Sequence, residues 1–427
     1  MNTTTMVPVQ ERALPDEAFP FLVLSAGAPE ERAAWIRLWE ESPGQLPYAH
    51  PAVAELMVAP DDELLCAAAR TSEGTVFYPV VLRTVDGEAR DLISPYGYGG
   101  AMCWNSENPM AFAYDFWTCF DDWAREHNVI SEFVRASLFD DILPHPGRSR
   151  VRSLNFVATI DSDVEVLTAC VPKVRQNVRK AIRSGLSMEI DRDGRLGEQF
   201  HRIYSGTMKR LGSSEWYRFP PEFFTRLTEG FGDRAVYFAA SLDGTPISMD
   251  LVLLGRDTAY YFLGGTDVEY SRLRPNDLVK ATVMEWLAGH GYRSYVLGGG
   301  VAPGDGLERY KKGFAPDGGT RFRTFERVLD GQAYSLRVES RRAEARSRGL
   351  EWPADSDFFP RYRSPLPEPA PLSVEETTAE KVPTVETAEE AASEWAPGQE
   401  TREFEWERVA TSGSDSGVIE QCLASFP

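Results

Sequence analysis

The order of hydrophobic and polar residues in the first third of the chain predicts a helix, an antiparallel meander, a second helix and a further strand. The first helix is expected at Pro29–Glu41, where Trp35 and Trp39 share one face. Strands are expected near 63–69, 76–84 and 89–94, the second helix near 112–123 and the last strand near 131–136. A glycine-rich stretch, SPYGYGGAM, separates the meander from the second helix.

A similar order of elements returns in a second pass. After a strand near 155–160 and a helix that ends at Gly185, two helices are expected near 197–211 and 221–231. A meander of three strands follows near 235–241, 245–254 and 258–264, with Asp243-Gly244 as its clearest hairpin turn. The pass ends with a helix near 276–288, a strand near 294–297, a short helix near 306–313, a strand near 321–328 and a basic helix near 331–348.

The two passes predict an α/β protein of two mixed domains, and they fit this arrangement better than one large sheet. We expect a flexible N-terminus at 1–20, a first domain at 21–150, a second domain at 151–350 and a tail at 351–427.

The charge is concentrated in that tail. The 427 residues carry a net charge of −20, of which −11 lies in residues 365–427. This segment is rich in Pro, Glu, Thr, Ala and Ser, so it is expected to be disordered and to act as a solvating tail. The alternative is an acidic partner-binding segment that uses Trp395, Phe404 and Trp406.

Several classes of protein are excluded by the composition. No apolar run reaches the roughly 18 residues of a membrane-spanning helix, and the N-terminus lacks the basic and apolar regions of a secretory signal. The five cysteines and five histidines show no metal-site spacing, and the hydrolase motif GxSxG does not occur. We therefore expect a reduced, cytoplasmic protein without a metal.

A basic helix is predicted in the segment VPKVRQNVRKAIRSG. Val174, Val178 and Ile182 repeat every fourth residue and form an apolar stripe. Arg175 and Arg179 belong to a parallel basic stripe with no acid nearby in the sequence. Such a stripe suits an anionic ligand such as phosphate or carboxylate, and the alternative is a solvated face paired with acids from elsewhere.

The segment LGGGVAPGDGLERYKKGFAP is the strongest candidate for chemistry. A strand runs into three consecutive glycines, and a short helix then presents Arg309, Lys311 and Lys312. The glycines allow close approach of the backbone to a ligand, and the cations supply charge at the same place. The segment is neither a Walker A loop nor a Rossmann fingerprint, and a structural turn is the alternative.

Four segments resemble the Fem family of aminoacyl-tRNA-dependent peptidyl transferases and their GNAT-like relatives. The runs RPNDLVKATVMEWLAGHGYRSYVLGGG and DGLERYKKGF resemble the second domain of that family, and VRQNVRKAIRSGL resembles its basic helix. The run YPVVLRTVDGEARDLISPYGYGG resembles the strands and loop of its first domain. The resemblance extends over residues 35–327 and implies two tandem GNAT-like domains with mixed sheets.

The resemblance also implies a reaction, in which an amine acceptor attacks the ester between an amino acid and its tRNA and forms an amide. Lys311, which follows Tyr310, is implied to face the reacting carbonyl, where a cation would stabilise the oxyanion by about 3 kcal/mol. Aminoacyl-tRNA would be a co-substrate, and no cofactor is implied. The acceptor would be a peptidoglycan precursor or a small specialised metabolite.

The other expected site residues follow from the same resemblance and fall into two groups. Substrate binding is expected at Arg175, Arg179, Tyr96, Tyr98, Asn276, Gly299 and Gly300. Contact with tRNA is expected at Lys312, Arg309 and Arg341, because residues 302–348 hold eleven Lys or Arg against seven acids. The alternative for this region is a salt-bridged surface.

Two alternative functions stay open. The first is an acyl-CoA-dependent GNAT N-acyltransferase that uses acetyl-CoA as donor. Such enzymes bind the CoA pyrophosphate at a helix N-terminus, where this chain has Pro275, which lacks an N–H, and the anionic Asp277. These residues disfavour CoA. The second alternative is a non-catalytic binding protein on the same fold.

Overall fold

Thirteen strands in the described part of the chain form one continuous mixed sheet. The computed structural model describes residues 19–353 and 357–367. Of the N-terminus expected at 1–20 and the acidic tail expected at 351–427, residues 1–18, 354–356 and 368–427 lie outside the described residues, Trp395, Phe404 and Trp406 among them.

The first half of the chain forms a meander followed by a parallel strand. The strands are β1 (Phe21–Ser25), β2 (Glu63–Thr71), β3 (Gly74–Asp86), β4 (Ala89–Ile93), β5 (Met102–Trp104) and β6 (Val129–Arg135), and the helices are α1 (Pro29–Glu41), α2 (Pro51–Ala54) and α3 (Pro109–Glu126). β1 to β4 are antiparallel neighbours, and β4 pairs in parallel with β6. Gly87, with a φ of 50°, closes the turn between β3 and β4 in the left-handed region that favours glycine.

The second half repeats this plan with more helices. Its strands are β7 (Arg148–Thr159), β8 (Ser187–Asp191), β9 (Ala235–Leu242), β10 (Thr245–Leu254), β11 (Thr258–Thr266), β12 (Ser294–Gly299) and β13 (Gly319–Val328). Its helices are α4 (Val166–Ala169), α5 (Pro172–Arg183), α6 (Gly197–Arg210), α7 (Pro221–Phe231), α8 (Pro275–Gly289), α9 (Gly306–Phe314) and α10 (Gly331–Ser347). β8 to β11 are antiparallel, and β11 pairs in parallel with β12.

The last strand joins the two halves. The strand order is β1-β2-β3-β4-β6-β13-β7-β12-β11-β10-β9-β8, and β5 pairs with β3 off this path. β13 is antiparallel to β6 of the first half and to β7 of the second. The two passes therefore share one large mixed sheet, which corrects the expectation that their plan fits one large sheet less well. The boundary expected between residues 150 and 151 lies inside β7.

The hydrophobic core on one face of the sheet extends through both halves. Met249, Leu251 and Leu253 of β10 belong to this common core, which also contains Trp35 of α1. Their neighbours Val252 and Leu254 lie in a separate core with residues of α5 and α8. The alternation follows from the period of two residues in a strand, and the common core packs the halves together.

Most predicted elements lie within three residues of the predicted bounds, and α1, α7 and β10 match at both ends, whereas β7 begins seven residues earlier than predicted. The short strands β1, β5 and β8 were not predicted. In α5, Val174 and Val178 are buried as predicted, but Ile182 is 57% exposed and Ala181 is buried instead. A repeat of four residues drifts around a helix of 3.6 residues per turn, so the buried face passes from Val178 to Ala181.

The last described segment packs against the first half. Tyr362 donates a hydrogen bond to the buried carboxylate of Asp91 in β4 at 2.9 Å, and Nε of Arg363 binds the same oxygen at 2.6 Å. Nε of Arg83 binds the other oxygen at 2.9 Å. Burial alone would raise the pKa of Asp91, but Arg83 and Arg363 lower it below its usual range. The segment is therefore fixed by a buried charged network.

Candidate active site

Lys311 of α9 is buried, with 2% of its surface exposed. α9 is capped by Asp305, whose side chain accepts a hydrogen bond from the main-chain N–H of Glu308 at 2.6 Å. Nζ of Lys311 donates a hydrogen bond to the carbonyl oxygen of Gly299, the last residue of β12, at 2.7 Å. The lysine and the glycine run expected to form the site are thus in direct contact.

The three glycines before α9 are required by packing. Gly298 has a φ of 80°, in the left-handed region. A Cβ on Gly299 would lie 2.7 Å from the carbonyl oxygen of Leu154 in β7, and one on Gly300 would lie 2.5 Å from Oδ1 of Asp305. The run therefore lets β12 approach β7 and lets the cap of α9 close.

Lys311 lies in the gap between two diverging strands. β11 and β12 pair only over Thr258–Tyr260 and Ser294–Val296, although both strands continue further. Nζ of Lys311 is bonded to Gly299 in β12 and lies 5.6 Å from the ring centre of Tyr261 in β11. The side chain therefore bridges the strands where they separate.

A second buried lysine lies against the same tyrosine. Nζ of Lys280 in α8 is 2.5 Å from Oδ2 of Asp250 in β10 and 3.4 Å from the ring centre of Tyr261. Lys280 and Asp250 are both buried. A Cβ on Gly264 of β11 would lie 2.5 Å from Oδ1 of Asp250, so this glycine makes room for the ion pair.

The pKa values in this cluster are shifted by burial. Burial, together with the charge of Lys280, lowers the pKa of Lys311 from 10.5 to about 7. Burial also lowers the pKa of Lys280 and raises that of Asp250, while their mutual attraction opposes both shifts. Lys311 is therefore divided between its charged and neutral forms near neutral pH, as suits a group that handles protons.

Two tyrosine hydroxyls near the cluster are buried without a hydrogen-bond partner among the described residues. They belong to Tyr310, which precedes Lys311, and to Tyr295 of β12. Burial raises the pKa of both phenols well above its usual value, and the charges of Asp277 and Asp250 add to this at Tyr310. Both phenols stay protonated and carry an O–H that a ligand or water can accept.

The start of α8 carries a buried acid. Arg274, with a φ of 63°, precedes Pro275 and Asn276. Asp277 is 3% exposed and accepts a hydrogen bond from Nδ2 of Asn177 in α5 at 3.0 Å. Burial raises the pKa of Asp277 to about 6. An anionic side chain thus lies in the first turn, where a bound diphosphate would need N–H donors.

The two arginines expected to bind substrate on α5 differ in their surroundings. The guanidinium of Arg175 donates a hydrogen bond to the carbonyl oxygen of Cys170, just before the helix. Arg179 is exposed on the same helix. Arg175 is therefore used within the fold, and Arg179 is the one that faces solvent.

Tyr96 and Tyr98 lie in the common core between the halves. The hydroxyl of Tyr98 donates a hydrogen bond to Oδ1 of Asn155 in β7 at 3.0 Å. The rings of Tyr96 and Tyr98 both contact the ring of Tyr48, and Tyr98 also contacts Tyr260 of β11. The predicted loop therefore lies against the second half.

The residues expected to contact tRNA are not gathered on one open face. Lys312 is exposed on α9, and Arg309 is exposed with its guanidinium bound to the carbonyl oxygen of Gly304. Arg341 binds the carbonyl oxygen of Ser364 at 3.0 Å and Glu344 at 2.9 Å. Arg341 is thus held in the fold, which corrects its expected place on an open RNA-binding face. Other arginines of the region also form ion pairs, namely Arg327, Arg337, Arg342 and Arg348.

A cavity of about 450 Å³ lies where the halves meet, next to Gly300. Its walls come from β6, β7, the loop after β12 and the segment at 357–359. Phe133, Leu154 and Phe359 supply apolar surface, and Arg152 and Glu308 supply charge. The cavity therefore borders the glycine run at Gly300 and has one wall from the first half at Phe133.

Three charged residues of this region were not predicted from the sequence. Lys280 and Asp250 lie in segments whose apolar neighbours predict an ordinary buried helix and strand. Arg135 ends the buried strand β6 and is itself 1% exposed. A charged residue inside an apolar run is the signal that marks each of them.

Comparisons with known proteins identify one family model and several solved structures that are similar to this chain. Residues 172–312 match the family model described as the Acetyltransferase (GNAT) domain. The chain is similar to a crystal structure of FemX, with 13% identity and a TM-score of 0.56 over 71% of this chain and 98% of that chain. No curated protein sequence matches the chain.

Two further solved structures are similar over comparable lengths. One is the C-terminal domain (DUF2156) of a protein described as a lysylphosphatidylglycerol synthetase from Agrobacterium fabrum, with 14% identity and a TM-score of 0.47 over 74% of this chain and 96% of that chain. The other is a tandem GNAT protein from the clavulanic acid biosynthesis pathway, with 15% identity and a TM-score of 0.41 over 72% of this chain and 98% of that chain.

The protein therefore has a mixed α/β fold that is GNAT-like, as predicted. The domain match, together with this fold, supports an acyltransferase. Of the helices in the described ranges, none combines the length and the apolar content needed to cross a bilayer. Within the same ranges, no group of His, Cys, Asp and Glu side chains is arranged to hold a metal ion.

Proposed function

We propose that the protein is an aminoacyl-tRNA-dependent transferase that forms an amide between the amino acid of the donor and an amine acceptor. The observation that carries the proposal is the position of Lys311, buried between diverging strands and bonded to Gly299. An ammonium group has three N–H donors. Because Gly299 accepts from one of them, two are left for the oxygen of a reacting carbonyl.

The proposed reaction needs no covalent enzyme intermediate. The acceptor nitrogen attacks the ester carbon, so that a C–N bond forms and the carbonyl oxygen becomes an oxyanion. Protonated Lys311 donates a hydrogen bond to that oxyanion in a site that excludes water, where such donors are most effective. The C–O bond to the tRNA ribose then breaks, and the leaving hydroxyl takes up the proton that the amine has lost.

The expected binding residues take different parts in this proposal. Arg179 on the exposed face of α5 would bind an anionic group of the acceptor, while Arg175 holds the start of that helix. Gly299 positions Lys311, and Gly300 lines the cavity beside it.

Tyr96 and Tyr98 would form the wall of the acceptor site. Tyr310 would offer its unpartnered hydroxyl to the donor, and Asn276 would face it from α8.

The exposed face of α9 would meet the tRNA. Lys312 and Arg309 lie on this face, in the same helix as Lys311. A nucleic acid needs local cations on an acidic protein, because phosphate contacts supply most of the affinity. These two residues place positive charge next to the reacting lysine.

The start of α8 supports tRNA over CoA as the donor. A diphosphate bound there would need free N–H groups and no nearby anion. Pro275 lacks an N–H, and Asp277 places a buried carboxylate in the first turn. The ester of an aminoacyl-tRNA carries no diphosphate at the reacting end, so this acid does not oppose its binding.

An acyl-CoA-dependent N-acyltransferase is the second candidate. The family model that matches residues 172–312 is that of a GNAT acetyltransferase domain, and it covers α5, α8 and α9. In this candidate Lys311 would stabilise the oxyanion of a thioester in the same way. The candidates therefore differ in the donor and share the lysine.

The deciding experiment measures the donor directly. The full-length protein is mixed with a pool of aminoacylated tRNAs and, separately, with acetyl-CoA, and retained tRNA is sequenced. We expect selective retention of one group of isoacceptors and no binding of acetyl-CoA. Binding of acetyl-CoA without tRNA would establish the second candidate. Retained donor without transfer to any amine, in the wild type as in Lys311→Met, would indicate a non-catalytic binding protein.

A further inference from the structure

Arg135 is a buried guanidinium group without a carboxylate partner among the described residues. The residue is 1% exposed at the end of β6. Its Nη1 donates to the carbonyl oxygen of Ser94 at 3.1 Å. Its Nε and Nη2 have no hydrogen-bond partner in the described ranges. Burying a charge without a partner is strongly unfavourable, so a structure that keeps one has a use for it.

The acid bound by the neighbouring Arg83 is already engaged. Arg83, which is close enough to lower the pKa of Arg135, binds Asp91, and Asp91 also binds Arg363. Burial is the main cause that lowers the pKa of Arg135 to about 10, and it leaves the group charged at neutral pH. The positive charge of Arg135 is therefore uncompensated within the described part of the chain.

The unpartnered atoms form one edge of the guanidinium. Nε and Nη2 carry parallel N–H groups, and this pair matches the two oxygens of a carboxylate. The guanidinium carbon lies 5.5 Å from the ring centre of Phe133, and Phe133 also lines the cavity next to Gly300. The guanidinium thus lies next to a residue of the cavity wall.

Other buried donors without partners lie in the same core. Tyr48, Tyr204 and Trp216 each have a hydroxyl or indole N–H that lacks a hydrogen-bond partner among the described residues. All three contribute to the common core between the halves or pack against it. Tyr48 and Tyr204 interact electrostatically with Tyr96, and so does Arg135. Native structures leave few such groups unsatisfied, so each of these donors is available to an acceptor.

We infer that the Nε and Nη2 edge of Arg135 binds a carboxylate of the acceptor at the junction of the two halves. That the carboxylate belongs to the acceptor rests on the proposed function, whereas the presence of a carboxylate site at Arg135 does not. The amine substrate would then be an amino acid or a peptide with a free carboxylate. The same chemistry could be supplied by an acid of the chain outside the described residues, and the experiment separates the two sources.

The test compares wild type with Arg135→Met in the full-length chain, and Arg323→Met serves as a matched control. Arg323 is an exposed arginine of β13 whose main-chain carbonyl accepts a hydrogen bond from the N–H of Ala136. Formate is the probe, because it is a carboxylate with no other group. Its binding is followed as the rise in thermal midpoint when formate replaces chloride at about 100 mM.

We expect formate to raise the midpoint of wild type and of Arg323→Met, and to bind at least about 10-fold more weakly to Arg135→Met. An acid of the chain that already neutralises Arg135 would occupy the same edge and leave formate without effect in wild type, and that result would overturn the inference. Equal formate effects in wild type and Arg135→Met would also overturn it. The readout uses no donor, so failure of the proposed function is seen separately.

Discussion

The amino group of Lys311 and the carbonyl oxygen of Gly299 are joined by a hydrogen bond of 2.7 Å that connects α9 to the end of β12. This bond fixes the lysine between β11 and β12, where the strands have already separated. The amino group is therefore pre-positioned, and no rearrangement of its long side chain is needed before a reaction.

Replacement of Lys311 by Met should remove transfer while leaving the fold intact. We expect kcat to fall by about 10²- to 10³-fold with a KM within a few-fold of wild type, because the lost hydrogen bond is strongest in the transition state. Steady-state kinetics checks this. Lys209→Met, at an exposed lysine of α6, should match wild type. Loss of less than about 3-fold in kcat would remove Lys311 from the reaction.

The stability of the protein should depend on pH through Lys311. In the unfolded chain its pKa is near 10.5, and in the folded protein it is about 7. Between these values the unfolded state binds more protons, so the free energy of unfolding rises with pH, by up to about 1.4 kcal/mol per pH unit. Below pH 7 the lysine is charged in both states and its burial is most unfavourable.

Lys311→Met should lose this contribution to the pH dependence. The free energy of unfolding of the variant should exceed that of wild type most below about pH 7, and this difference in free energy should shrink toward pH 9. Urea unfolding of both proteins across this range measures it. A difference that is constant with pH would mean that Lys311 titrates normally in the folded protein.

The pair of Lys280 and Asp250 should behave as a unit. Lys280→Met leaves a buried carboxylate without its partner, and we expect a loss of about 3–5 kcal/mol in the free energy of unfolding. The double variant with Asp250→Asn should lose less than the sum of the two single variants. Arg125→Ala breaks an exposed pair with Asp122 and should cause no measurable loss. Additive losses at positions 250 and 280 would contradict the coupling.

Gly299→Ala should destabilise the fold through a steric clash, independently of the proposed reaction. Its Cβ would lie 2.7 Å from the carbonyl oxygen of Leu154, a main-chain atom held in the pairing of β7 with β13. We expect a loss of about 1–3 kcal/mol. Gly206→Ala in α6, where no atom lies within 4 Å, should stabilise by about 0.5–1 kcal/mol. Unfolding midpoints test both, and an unaffected Gly299→Ala would show that β12 can move away from β7.

The periodicity of the sequence predicts long helices and strands well and short strands at the edge of the sheet poorly. α7 and β10 have strong apolar periods and glycine or proline at their ends, and their bounds match the structure. β8 has the sequence SMEID, and its polar residues leave little signal at the edge of the sheet. The position of β13 was unpredictable for another reason, because alternation identifies a strand but not its partners.

The candidate site was predicted in part. Lys311 and Gly299 carry local signals, a lysine in a YKKGF run and a glycine run after a strand, and they are in contact. Lys280 and Arg135 lie in apolar runs, so only the packing shows that their charges are buried in the region. Arg341 was assigned from charge density, and charge density does not show which cations are already paired.

The position of β13 also determines when this protein can finish folding during synthesis. β6 and β7 lie on either side of a place that is filled only by Gly319–Val328. Until those residues leave the ribosome, both strands present unpaired N–H and C=O groups, which are prone to pair with other chains. Neither half can therefore complete its sheet early, and the nascent chain depends on the arrival of its last strand.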